Sequence, residues 1–136
     1  MVEFALFFML FLVVAVALME LGRGVWTYTT VAHAARQGAR YAQVHGRLYP
    51  IANGDSTIEQ VVRNNAVGLD PQEVTVTASW ESWDAVNGVW VQDNVNAQGS
   101  VVRVQVSYPF RLVTGPLVLA QDTIQLRSTS RMVVAN

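Results

Sequence analysis

The 136-residue chain has no cysteine. That excludes disulfides and cysteine-ligated metals and leaves the redox compartment open. Lysine is absent too: all nine basic residues are arginines, a bias read as that of the genome and not of a function. Ten acidic residues against those nine give a formal net charge of −1, so no global field recruits nucleic acid or another polyanion. The two histidines, His33 and His45, have no carboxylate or thiol at metal-ligand spacing and read as surface or packing residues. No glycine-rich loop follows a strand-like segment to cradle phosphate. Ser128 and Ser130, read as outward strand positions, have no nearby His or Lys to activate a hydroxyl. Without a nucleophile, an acid–base set, a metal cluster or a cofactor motif, the expectation is a non-enzyme that needs no cofactor.

Hydrophobic residues, by contrast, make up 51% of the chain, and they are concentrated at its start. Residues 4–19 (FALFFMLFLVVAVALM) form an uninterrupted apolar run. As an α-helix this run covers about 24 Å, slightly short of a ~30 Å hydrocarbon core. Met1, Val2 and Leu21 complete a span if Glu3 and Glu20 sit near the two interfaces. A helix apolar on every side cannot be surrounded by so small a domain, so the run reads as a membrane anchor. A cleaved signal peptide would need a positively charged start, whereas the only early charge is the acidic Glu3. The helical pattern also continues through Trp26 and Tyr28 to about Val44, so retention is the expectation. Orientation is contested. Arg23, Arg36 and Arg40 follow the run and nothing basic precedes it, which by the positive-inside rule puts the C-terminal domain in the cytoplasm. Either that holds, or a basic leader is missing in front.

From His33 onward the pattern is amphipathic. His33, Arg36, Arg40, Val44 and Arg47 fall on one stripe, with Tyr28, Val31, Ala35, Gly38, Ala39 and Ala42 opposite. The small-residue side suits close packing on the chain's own sheet or on a neighbouring helix. Pro50 and Asn53-Gly54 end this helix. Ser56 and Glu59 form a capping box opening a short helix that stops at Gly68, with Ile58, Val61, Val62 and Leu69 as its core face. After Pro71 the period becomes two: Val74, Val76, Ala78 and Trp80 alternate with polar residues. Asn87-Gly88 signals a hairpin with a type I′ turn, flanked by Asp84 and Asp93. Further strands follow Gly99 (Val102, Val104, Val106 and Tyr108 on one side) and run from about Thr123 to Val134 (Ile124, Leu126 and Met132 inward). Residues 109–120 are too apolar for an ordinary loop; they cover the sheet, or touch lipid or a partner. Trp80, Trp83 and Trp90 near the hairpin form either a ligand-stacking platform or, more simply, cross-strand packing.

The opening Met1-Val2-Glu3-Phe4-Ala5-Leu6 with its apolar run resembles TadE-like pseudopilins of the tight-adherence (Flp, type IVb) pilus system. The stretch Ala35-Arg36-Gln37-Gly38-Ala39-Arg40-Tyr41-Ala42 is similar to the small-residue and Arg pattern that follows that family's membrane helix. A Tyr108-Pro109-Phe110 turn and the ending Ile124-Gln-Leu-Arg-Ser-Thr-Ser-Arg-Met132 extend the likeness along the chain. The resemblance implies a basic prepilin leader ending in Gly, with Glu as the fifth residue after the cut. Here Glu is third and no Gly precedes it. The expectation is therefore a chain that begins about two residues inside the mature protein. Such a leader also settles the orientation conflict, by holding the N-terminus inside and leaving the domain outside.

These readings combine into an α+β, type IV pilin-like fold: a long N-terminal helix, its first half transmembrane, packed on a small antiparallel sheet with one extra short helix. Residues 1–24 are expected to be the transmembrane or filament-core half, and 25–136 the extracytoplasmic domain. The expected function is that of a structural subunit in pilus biogenesis, adhesion or secretion, in the bacterial inner membrane before assembly and in an extracellular filament after it. Glu3 would set assembly register, while His33, Arg36, Arg40 and Arg47 form the helix interface stripe. Expected partners are other pilin-like subunits (self or TadE/TadF/Flp-type), the inner membrane, a prepilin peptidase and the assembly machinery, with no nucleic acid. The alternative is a single-pass envelope protein whose Trp-rich β-domain binds a ligand or polysaccharide without forming a filament.

Overall fold

The computed structural model describes residues 2–45, 56–93, 99–113 and 122–134. Helix α1 (Val2–Val44) runs unbroken for 43 residues, about 65 Å at the usual rise; no proline interrupts it. A second helix, α2 (Ser56–Asn65), and strands β1 (Thr75–Asp84), β2 (Val89–Asp93), β3 (Val101–Arg111) and β4 (Thr123–Val133) complete the described elements. The strands form one sheet in the order β2-β1-β3-β4, antiparallel throughout. The α+β arrangement of the sequence analysis is the one observed.

Two halves of α1 live in different surroundings. Its first twenty residues present their apolar side chains outward, from Val2 to Leu21, with nothing of the domain over most of them. The second half buries Thr27, Val31, Ala34, Ala35, Gly38, Ala39 and Ala42, spaced three or four apart on one face. This is the expected small-residue face turned slightly: Thr27 and Ala34 join it, while Tyr28 lies half-exposed at its rim. Small side chains let the helix axis come close to β3 and β4, whose inward residues fill the gap. On β3, Val102, Val104 and Val106 are fully buried, and Trp80 from β1 closes the core beside them.

Helix α2 packs beside α1 through Ile58 and Val62, with Val61 half-buried behind them. It ends at Asn65, slightly before the expected Gly68. Glu59 pairs with Arg63 one turn on, at 2.5 Å, the favoured Glu-before-Arg order. The helices come close at Gly38, where a β-carbon would stand 2.5 Å from Cγ2 of Val62. Only glycine lets the two helices meet here.

Three readings of the strands need correction. The hairpin is not a two-residue type I′ turn, because Asn87 keeps a negative φ and only Gly88 is left-handed, at +64°. Four residues, 85–88, bridge β1 and β2, and the Asp84 carboxylate organises them. It accepts from the backbone N–H of Val86 at 2.9 Å and from Asn87 Nδ2 at 2.7 Å, while the Gly88 N–H reaches the Asp84 carbonyl. Tyr108-Pro109-Phe110 is not a turn but part of β3, paired with Leu126, Gln125 and Ile124. Pro109 is tolerated because β3 has by then run past the end of β1 and is itself an edge on that side. Ser128 and Ser130 face the helix and not solvent, since register places them opposite Val106 and Val104. There, between Leu126 and Met132, they are the small residues that admit α1.

Candidate assembly and membrane interface

Glu3 lies in the first turn of α1, exposed, where a carboxylate complements the helix dipole. Seventeen residues on stands Glu20, so the two acids bracket the apolar run about 26 Å apart along the axis. They differ in setting. Glu3 stands among exposed apolar neighbours, whereas the Glu20 side chain retains only 10% of its exposure.

What covers Glu20 is the chain just after β3. Its carboxylate accepts from the Val113 N–H and lies 3.8 Å from the Arg23 guanidinium. Arg23 in turn donates to the Arg111 carbonyl and sits over the Phe110 ring, 4.7 Å from its centroid. Arg111 extends the chain of contacts to Glu73, at 2.5 Å. One turn further along, Trp26 packs over Gly68 so closely that a β-carbon there would lie 2.5 Å from the indole. These contacts lock the domain to the middle of α1. Sequence reasoning placed Glu20 at an interface but missed the clamp, because its partners lie 88 and 93 residues away. The only local signal was an acid and an arginine three apart at the end of an apolar run.

His33, Arg36 and Arg40 are exposed on the face of α1 turned away from the sheet, and Gln37 lies 3.4 Å from His33. Among the described residues neither Arg36 nor Arg40 forms an ion pair. Arg47 lies outside the described residues, as do 114–120 of the apolar segment. His45 stacks on Tyr41 with ring centroids 4.1 Å apart, a packing role at the helix end.

The three tryptophans separate. Alternation along β1 turns Trp80 into the core and Trp83 to the outer face. Trp83 meets Trp90 directly across the β1–β2 ladder, edge to face at 5.3 Å, the cross-strand arrangement expected of an aromatic pair. Farther along the same outer face Glu81 pairs with Arg103 at 3.0 Å.

Comparison with curated proteins and with solved structures gives no match. A family model does match: TadE-like protein, over residues 1–40. It takes in the apolar run, the Glu20 and Arg23 positions and the stripe as far as Arg40, and leaves α2 and the sheet outside. The Tyr108-Pro109-Phe110 and 124–132 stretches also lie beyond it. Over its first 40 residues, then, this chain matches the model of TadE-like proteins, the family its sequence resembles.

Proposed function

We propose that the chain is a pilin-like structural subunit of a Tad-type (type IVb) filament. Before assembly the first half of α1 holds it in the inner membrane with the domain on the extracytoplasmic side. On assembly the same half passes into the filament core. A Tad-pilus-associated, pilin-like role in general is supported by the TadE-like segment. The single observation that carries the finer reading is the division of α1: a first half with its apolar side chains largely exposed continues, without a break, into a half fixed to a sheet. A loosely tethered anchor needs no such rigid junction, whereas a subunit that transmits packing from core to surface does. The protein acts as a scaffold and catalyses no reaction.

In the core, Glu3 pairs with a neighbouring subunit's N-terminal amine and sets axial register. Removing one member of a buried pair strands the other at a cost of roughly 3–5 kcal/mol. Since 1.4 kcal/mol is a factor of ten, a loss of that size nearly abolishes incorporation. Glu3→Ala and Glu3→Gln should therefore accumulate in membranes and be missing from sheared filaments, with Glu3→Asp partly tolerated. Normal incorporation of Glu3→Ala would leave Glu3 as a helix-start residue only. The exposed Trp83–Trp90 pair favours a second reading, ligand binding by an envelope protein without a filament. In that case Trp83→Ala would abolish function while the Glu3 variants behaved as wild type.

A further inference from the structure

The clamp at Glu20 has a geometric consequence for the domain, which rests on the membrane-anchor reading above. An apolar groove of about 520 Å³ lies between the middle of α1 and the ends of β3 and β4; Leu21, Val25, Phe110, Leu112, Ile124 and Leu126 are among its walls. Beside it, Val113 lines a second hollow together with Val16 and Met19. Both of those residues belong to the uninterrupted apolar run. The residues just after β3 therefore do not stop at the top of the anchor but reach down alongside it. Taking Leu21 as the edge of the hydrocarbon, Val16 and Met19 lie about 3–8 Å below it. That depth is the one to which surface-bound apolar elements sink into a bilayer, about 5–10 Å.

We propose that this end of the domain is itself a membrane-contacting surface, in which Leu112, Val113 and Ile124 sit among lipid acyl chains next to α1. Three observations select lipid as the occupant. The first is continuity: the groove shares a wall with the exposed anchor, so a bilayer around one meets the other. The second is length. Between Glu3 and Glu20 the run supplies only about 24 Å against ~30 Å of hydrocarbon, so none of it is spare to hold the domain clear of the surface. The third is the treatment of charge. A carboxylate at the edge of the hydrocarbon is costly unless partnered, and Glu20 is shielded by the Val113 N–H and Arg23. Tyr28, half-exposed on the groove's wall, and the half-exposed Trp26 nearby are the residue types that favour the headgroup level. Arg23 and Arg111 are each engaged by an acid, Glu20 and Glu73, so the contact is apolar and does not require anionic lipid.

The absence of cysteine makes single-site spin labelling of the full chain clean. Met19→Cys, Val113→Cys, Ile124→Cys and Thr129→Cys would be labelled after reconstitution into phosphatidylcholine vesicles. Relaxation by oxygen, which partitions into lipid, is then compared with relaxation by a water-soluble nickel chelate. The expected result is oxygen-dominated relaxation at Met19, Val113 and Ile124, and nickel-dominated relaxation at Thr129 on the outer sheet face, unchanged when phosphatidylglycerol is added. Nickel-dominated relaxation at Val113 and Ile124 with Met19 still in lipid overturns this inference and leaves the anchor reading intact. If Met19 itself is aqueous, the anchor reading fails first. Low accessibility to both reagents at Val113 and Ile124 places protein over the groove and likewise overturns the proposal; spin–spin broadening removed by unlabelled chain would identify that protein as a second copy.

Discussion

At Gly38, α1 comes close to both α2 and β3, and replacing it with alanine sets two opposed effects against each other. In an unconstrained helix Gly→Ala stabilises by about 1 kcal/mol, through backbone entropy. Here the new methyl would stand 2.5 Å from Val62 Cγ2 and 3.4 Å from Val104 Cγ1. Val62 is fully buried, and a β-branched residue in a helix is largely confined to one rotamer, so it cannot swing aside. Overpacking of this kind costs about 1–3 kcal/mol, leaving a net loss of about 0–2 kcal/mol for Gly38→Ala. Gly38→Val, with two further methyls to place, should lose more. Val62→Ala alone removes two buried methyls and costs about 2 kcal/mol. Combined with Gly38→Ala it removes the atom that clashes, so the double variant should be more stable than the sum of the singles by about 1–2 kcal/mol. Urea unfolding of the full chain in mild detergent, followed by tryptophan fluorescence, measures all four. A Gly38→Ala protein stabilised by the full propensity gain, or strict additivity of the pair, would refute the close approach of the helices.

Asp84 carries a pH prediction. Its carboxyl is held below the usual value chiefly by the Asn87 side chain and then by the Val86 N–H. A lowered folded-state pKa stabilises the turn fully above the unfolded value and loses that stabilisation as pH falls through the folded one. The Val86 and Asn87 amide resonances should therefore shift together below about pH 4, and Asp84→Asn should remove that acid transition; amide shifts that ignore pH would contradict the hydrogen bonds. For the stripe on α1, Arg36→Glu with Arg40→Glu should leave the thermal midpoint within a few degrees, because both side chains are exposed, while reducing assembly in cells. A large drop in midpoint with assembly unchanged would mean that the arginines serve the domain itself.

Much of this architecture is legible in the sequence, for identifiable reasons. An apolar run with no break announces its helix, and period-two alternation of Val102, Val104 and Val106 announces a strand with one buried face. The errors occur where a side chain overrides a backbone preference. Asn87-Gly88 is a strong type I′ signal, but the Asp84 carboxylate collects donors from Val86 and Asn87 and fixes a longer loop. Pro109 suggests a turn, yet β3 passes through it because that stretch has outrun β1. Ser128 and Ser130 look like solvent-facing residues until the register shows that their small size serves the helix. Strand parity does separate Trp80 from Trp83, three residues apart. The clamp is a different case: Glu20 and Arg23 take hydrogen-bond partners from β3 and the residues just after it, and no local pattern encodes a contact 93 residues distant.

The central claim is that this chain leaves the membrane to become part of a filament. It is tested most directly by shearing filaments from intact cells, purifying them away from membrane, and seeking the native chain in both fractions by mass spectrometry. The account predicts peptides from the β3 and β4 strands in purified filaments as well as in the membrane, with the filament pool lost in Glu3→Ala. Recovery of the chain from the membrane alone, in cells whose filaments are abundant and intact, would contradict it.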